Sequence, residues 1–318
     1  MIITVTPNPA LDVSYRVEHV HPGESHRVRS VHERAGGKGI NVGRVLHGQS
    51  VPTLVAAPVG GVLGDVIRDD LTAAGIEHAL LPVSAPTRKT IAVIAEADAG
   101  EATLFNEPGS QLGGEDWQRL RDLVADRLTA ASVLVCSGSL PPGCAASSYA
   151  ELVRDAHARS VPAVVDAAGP ALLAAAEAGA DLVKPNAAEL RETTGHDDPL
   201  SGAQQLRDRG AAAVIVSLGP DGLLAATDEG FWRAAPPYAV SGNPTGAGDA
   251  AVAAFAAGIM RRETWPERLR NAVAWSAAAA AAPVAGTLDH RVLRDIADNI
   301  TIEPLAADGR AGESRSPR

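Results

Sequence analysis

Apolar residues follow two rhythms along this chain. In its second half four short unbroken runs, at 133–135, 163–165, 182–183 and 214–216, are each preceded by a segment of helical spacing. Runs this short, without polar alternation, are strands buried on both faces, and their alternation with helices predicts a mostly parallel α/β sheet covered on both sides. Each run ends in polar residues: Cys136-Ser137, Asp166, Lys184 and Ser217. Open α/β sheets bind ligands outside the C-terminal ends of their strands, so one sheet edge is expected to carry the chemistry. The first half is different. Segments of about 14–34 and 88–107 alternate apolar and charged residues, with Ile91, Val93 and Ala95 on one parity. They predict two half-exposed β segments that form one small sheet standing off the main body, as a lid or an interface.

Helix starts come next. Residues 2–6 read as a strand that runs into Pro7-Asn8-Pro9 and delivers Asp12 just beyond it. A dinucleotide fold would place Gly-x-Gly-x-x-Gly after that strand, and none is there. Gly36-Gly37-Lys38-Gly39 precedes a helical stripe of Ile40, Val42, Val45 and Leu46, with Asn41 at its mouth. It is not a Walker A loop, because Gly39 follows the lysine where Ser or Thr is required. The stretch Asn243-Pro244-Thr245-Gly246-Ala247-Gly248-Asp249 leads into small and apolar residues at helical spacing over 250–260. Free N–H groups and the dipole of such a helix start can take a phosphate. Asp249 there is either a first-turn carboxylate paired with the dipole or a general base facing a hydroxyl that attacks the phosphate.

Composition narrows the function classes. At 318 residues the chain is long enough for one large α/β domain or two small ones, and its net charge of −10 disfavours a nucleic-acid binder. Two cysteines, Cys136 and Cys144, are too few for a disulfide framework and suit a reducing cytoplasm. The N-terminus lacks the pattern of a signal peptide, and the longest late apolar run, 272–282, reads as a buried helix too short to span a bilayer. No membrane partner is expected. Residues 304–318 are expected to be a disordered tail behind a single domain of 1–303. Among 28 basic residues only Lys38, Lys89 and Lys184 are lysines, so each looks specified by its site rather than by a need for generic charge.

Seven motifs in order resemble the PfkB, or ribokinase-like, carbohydrate kinases, in the branch of 1-phosphofructokinase and tagatose-6-phosphate kinase. They are Asn8-Pro9-Ala10-Leu11-Asp12, Gly36 to Asn41, Thr87-Arg88, Ser137-Gly138-Ser139-Leu140-Pro141-Pro142-Gly143, Lys184-Pro185-Asn186-Ala187-Ala188-Glu189-Leu190, Ser217-Leu218-Gly219-Pro220-Asp221-Gly222, and Gly246 to Asp249. The resemblance implies a three-layer α/β/α core with a protruding β lid, through which such proteins commonly form homodimers. It implies that Asp249 is the catalytic base and that Gly246, Ala247 and Gly248 form the anion hole. It implies sugar binding by Asp12, Gly37 and Asn41, and contacts to the phosphate already on the substrate from Lys38, Arg88, Arg27 and Ser137. Lys184, Asn186 and Glu189 are implied in nucleotide phosphate and Mg²⁺ binding, with Glu189 the metal residue, and Ser217, Gly219 and Gly222 in shaping the ATP site. ATP and Mg²⁺ are the implied cofactors, with K⁺ a further option. Asp12 as a turn-capping acid and Glu189 as a solvated helix-start acid are the plainer readings of the same residues.

The leading reading is therefore an ATP-dependent kinase that converts a ketohexose monophosphate to the bisphosphate, with fructose 1-phosphate first and fructose 6-phosphate or tagatose 6-phosphate as alternatives. Asn243-Pro244-Thr245 and Ala250 depart from many 1-phosphofructokinases and keep the substrate open. A sugar-phosphate sensor without turnover is the alternative of another class. A nicotinamide-dependent oxidoreductase lacks its fingerprint.

Overall fold

The computed structural model describes residues 1–95, 97, 102–240, 242 and 245–305. The chain opens with β1 (Ile2–Val5), β2 (Ala10–Val17), β3 (Ser30–Gly36), α1 (Lys38–Gly48), β4 (Thr53–Val59), α2 (Gly61–Ala73) and β5 (His78–Pro82). Next come β6 (Arg88–Ala95), β7 (Ala102–Asn106), α3 (Gly114–Leu128), β8 (Val133–Ser137), α4 (Ser148–His157), β9 (Ala163–Asp166), α5 (Gly169–Glu177) and β10 (Leu182–Val183). It continues through α6 (Ala187–Thr194), α7 (Pro199–Asp208), β11 (Val214–Ser217), β12 (Leu223–Thr227), β13 (Gly230–Ala235), α8 (Ala247–Arg261), α9 (Trp265–Ala280), α10 (His290–Ile296) and β14 (Thr301–Leu305).

Ten strands form the main sheet in the order β14-β13-β12-β11-β10-β9-β8-β1-β4-β5. The seven from β11 to β5 are parallel, and β12, β13 and β14 extend one edge antiparallel. The chain leaves β1 first toward β4 and β5 and later returns to β8 on its other side. That reversal opens a crevice at the C-terminal ends of the central strands. One apolar layer packs Leu120, Tyr149, Leu152 and Leu206 beneath the sheet, and the other packs Val42, Leu46, Phe255 and Leu269 above it. The face above is alanine-rich because α8 is buried on all sides from Asp249 to Gly258. Small side chains let it lie directly on the sheet and against α9.

The four apolar runs are the adjacent strands β8, β9, β10 and β11, and their polar ends do share one edge. Each of the two half-exposed segments turns out to hold two strands. They form a second sheet in the order β3-β2-β6-β7, with β2 and β6 parallel at its centre and the first strand starting already at Ala10. The 272–282 run forms the second half of α9. Strand β14 pairs with β13 through Leu305, so residues 304 and 305, assigned to the tail, belong to the sheet. The remaining 306–318 lie outside the described residues, as do Asn243 and Pro244. Among the described residues no helix is long and apolar enough to cross a membrane.

Candidate active site

The crevice holds a cavity of about 610 Å³. On its floor, Gly246 takes a left-handed backbone (φ +88°) and starts α8, which points the first-turn N–H groups of Ala247, Gly248 and Asp249 toward the opening. Glycine is required at 246 for conformation and for space, since a Cβ there would fall 3.0 Å from Ala285 Cα. Asp249, 6% exposed, lies one turn into that helix start, and Asn41 Nδ2 donates to its Oδ2 at 2.9 Å. Burial, and then the nearby Asp166 carboxylate, raise the Asp249 carboxyl to about 6.

Three strand ends set the charges around it. Asp166, at the end of β9, is 1% exposed, with Lys38 Nζ at 3.3 Å and Lys184 Nζ at 3.7 Å from its Oδ1. Burial alone would push this carboxyl up, but the ammonium groups of Lys184 and Lys38 outweigh it and hold it below its ordinary value. Lys38 is raised in turn, chiefly by Asp166 and further by Glu189, whose Oε1 is 3.7 Å from its Nζ. Glu189 Oε2 accepts from Asn186 N while Asn186 Oδ1 accepts from Glu189 N, a capping box that starts α6. The helix-start reading of Glu189 therefore holds for one oxygen, and the other faces the cavity's lysine.

At the opposite end lies the lid. Asp12 on β2 accepts a short hydrogen bond from Thr90 of β6, and burial raises its carboxyl. Gly36 is packed tightly against that carboxylate, because a Cβ there would fall 1.9 Å from Asp12 Oδ2. Arg88 donates from Nη1 to Glu107 O at 2.6 Å and from Nη2 to Asn8 O at 3.2 Å, which fixes its guanidinium at the cavity wall. Gly37, Lys38, Asn41, Lys184, Asn186, Ser217, Gly219 and Gly222 line the same cavity, and Pro236, Val240, Val273, Ala277 and Ala280 add an apolar part.

Two sequence candidates are elsewhere. Ser137 is fully buried behind the cavity and donates to Asp166 Oδ2 at 3.4 Å, so it supports Asp166 instead of facing the cavity. Arg27 lies on the exposed loop between β2 and β3, outside the lining. Lys89 is not in the lining either; its N–H donates to the Glu107 carboxylate. Sequence reasoning also passed over three residues. Asp166 was visible as a strand end without a role, Thr90 shares the parity of Arg88, and Asn106 carried no signal before β6 and β7 were paired.

A buried carboxylate at a helix start whose N–H groups can take an anion, with cations on one side and a polar lid on the other, suits phosphoryl transfer to a hydroxyl. Comparison with known proteins agrees. Residues 9–290 match the model of the pfkB family carbohydrate kinases. The chain is 37% identical over 290 residues to a 1-phosphofructokinase of Xanthomonas campestris, covering 86% of this chain and 89% of that one. It is 36% identical over 268 residues to an ATP-dependent 6-phosphofructokinase isozyme 2 of Mycobacterium tuberculosis, covering 82% and 78%. Phosphofructokinase-2 from Escherichia coli, in complex with potassium, superposes with a TM-score of 0.87 at 30% identity over 93% of this chain and 98% of that one. The chain belongs to the pfkB family of carbohydrate kinases. Its reaction class is thus phosphotransfer with an alcohol group as acceptor.

Proposed function

We propose that this kinase transfers the γ-phosphoryl group of ATP to the free primary hydroxyl of a ketohexose monophosphate, with fructose 1-phosphate, converted to fructose 1,6-bisphosphate, as first choice. The observation that carries this is the placement of the buried Asp249 carboxylate beside the Gly246–Gly248 N–H groups, in one cavity with Asp12, Thr90 and Arg88. Asp12, Asn41 and Asn106 have the acceptors and donors to hold sugar hydroxyls. Arg88 is the cation for the substrate's own phosphate, since Lys38 is occupied by Asp166 and Glu189. Asp249 takes the hydroxyl proton as the oxygen attacks the γ-phosphorus in line, and the bond to the β-phosphate oxygen breaks to release ADP. The anion-hole N–H groups and Lys184 take up the charge on the phosphoryl oxygens. The apolar patch of Val240, Val273 and Ala277 suits an adenine ring.

Magnesium fits the donor set, because Glu189 Oε1 is a carboxylate oxygen beside the phosphate region and this ion usually needs only one or two carboxylates besides substrate phosphates. When bound it supplies charge neutralisation on those phosphates. The relative named for 6-phosphofructokinase keeps fructose 6-phosphate as the second substrate.

The test is ADP release with Mg²⁺-ATP across fructose 1-phosphate, fructose 6-phosphate, tagatose 6-phosphate, fructose and ribose. Turnover on one phosphorylated ketose is expected, and none on any sugar would overturn the reading. Arg88→Met should lower kcat/KM for that ketose by about 10–100-fold, the worth of a charged hydrogen bond, while leaving any weak rate on unphosphorylated fructose nearly unchanged.

The lid supports a homodimer. Val31 (57% exposed) and Phe105 (58% exposed) leave apolar surface on the small sheet. Light scattering of the wild type should give twice the chain mass, and Phe105→Glu combined with Val31→Glu should shift it toward the monomer.

A further inference from the structure

A second cavity, of about 290 Å³, lies behind the active site and is lined by Arg34, Arg44, His47, Gly286, Thr287 and His290 among others. Its charge is one-sided. Arg44 is 5% exposed, donates from Nε to Ala35 O at 3.3 Å and pairs closely with Asp70. The same oxygen, Asp70 Oδ2, also accepts from Ala35 N at 2.9 Å, so it is shared between Arg44 and a backbone amide. Arg34 has only a neutral partner in its hydrogen bond from Nη1 to Ala285 O at 2.9 Å. Burial, followed by repulsion from Arg44, brings the Arg34 guanidinium down to about 10, against the smaller opposing pull of Asp70 and Asp12.

Neighbouring acceptors are already engaged. The carbonyls of Val45, Leu46 and His47 at the end of α1 accept from Gln49 and Ser50 N–H groups. Asp289 accepts from the N–H groups of Arg291 and Val292 at the start of α10. Two arginines and two histidines thus line a cavity with no carboxylate among its described lining residues, while Asp70 and Asp12 act on the arginines from outside the lining, in a chain whose net charge is −10.

We propose that this cavity binds a small phosphate-bearing anion. Guanidinium forks match phosphate oxygens in pairs, and a volume near the lower end of ligand pockets admits inorganic phosphate or a short phosphorylated carbon chain but not a nucleotide. The cavity also touches the catalytic framework. A Cβ at Gly286 would fall 3.1 Å from Arg44 Cδ and 3.4 Å from Asn41 Oδ1, and Ala285 packs on Gly246. An anion on Arg34 and Arg44 therefore bears on the segment that holds Asn41 and the anion hole in place.

The experiment is a titration of full-length protein carrying ¹³C-labelled histidine, with the His47 and His290 ring signals assigned from His47→Gln and His290→Gln. Inorganic phosphate and glycerol 3-phosphate are added separately at constant pH and ionic strength. Both signals should shift saturably with at least one probe, and Arg34→Met should weaken that binding at least about tenfold, whereas Arg88→Met in the other cavity should not. Saturation by phosphate alone assigns the free ion, and tighter saturation by glycerol 3-phosphate assigns an organic phosphate. Signals that do not move, that move equally in Arg34→Met, or that drift linearly to about 50 mM, meaning an adventitious ion only, overturn the proposal. Should Arg34→Met fail to fold, Thr287→Glu, which puts a carboxylate into the cavity, must abolish the saturable shift. Binding is read directly, so the outcome is independent of whether the chain turns over a ketose phosphate.

Discussion

Asp249→Asn is expected to lower kcat by about 10²–10⁴-fold and, at neutral pH, to make the protein harder to unfold. The two effects have one cause. The carboxylate proposed to accept the hydroxyl proton is buried, and that burial, followed by the Asp166 charge, raises its folded-state carboxyl from 3.8 to about 6. A carboxyl that binds its proton more tightly when folded contributes stability below its unfolded value, and that contribution disappears as pH rises through 6. Above that range the ionised group costs on the order of 3 kcal/mol. Asparagine removes the charge and still offers Asn41 an acceptor. Denaturant midpoints should therefore favour the variant at pH 7.5 and converge toward wild type near pH 4. In the wild type, kcat/KM should fall about tenfold per unit as pH drops below about 6, since a base role for Asp249 requires its ionised form. A variant within tenfold of wild-type kcat would remove Asp249 from the base role and leave the sugar-phosphate sensor as the better reading.

Much of this arrangement was readable in the residues, for definite reasons. Short apolar runs that each follow a helical segment and end in polar residues read as doubly covered strands, so β8 to β11 and their polar ends at Asp166, Lys184 and Ser217 were legible. Glycines before a helical stripe located the starts of α1 and α8. The antiparallel strands β12, β13 and β14 were not read, since Leu223-Leu224-Ala225-Ala226 suits a helix as well as a strand, and only pairing across the sheet decides it. Arg27 and Ser137 show another limit: a motif gives a residue's neighbourhood, but the direction of its side chain depends on the packed fold. Ser137 belongs to a motif that leads into the site, yet its strand position turns it inward onto Asp166. The rarity of lysine was informative for Lys38 and Lys184, both drawn to the same buried carboxylate, and uninformative for Lys89.

That shared carboxylate gives the second large effect. Asp166→Ala is expected to destabilise the fold by about 3–5 kcal/mol, because it leaves the Lys184 ammonium, with a side chain 4% exposed, without its nearest counter-charge. Asp166→Asn is the more informative partner. It keeps a polar group for Ser137 and the two lysines while deleting the negative charge that, after burial, does most to hold the Asp249 carboxyl up. Lys38 and Lys184 both favour ionised Asp249, and with Asp166 neutral their charges are no longer offset there. The acid limb of kcat/KM should consequently move below pH 6 in Asp166→Asn, even as the rate falls through looser placement of both ammonium groups. A purely structural role would lower the rate without moving that limb. An unmoved limb together with an Asp166→Ala protein as stable as wild type would mean that the lysines find their charge balance elsewhere, and that Asp249 owes its raised carboxyl to burial alone.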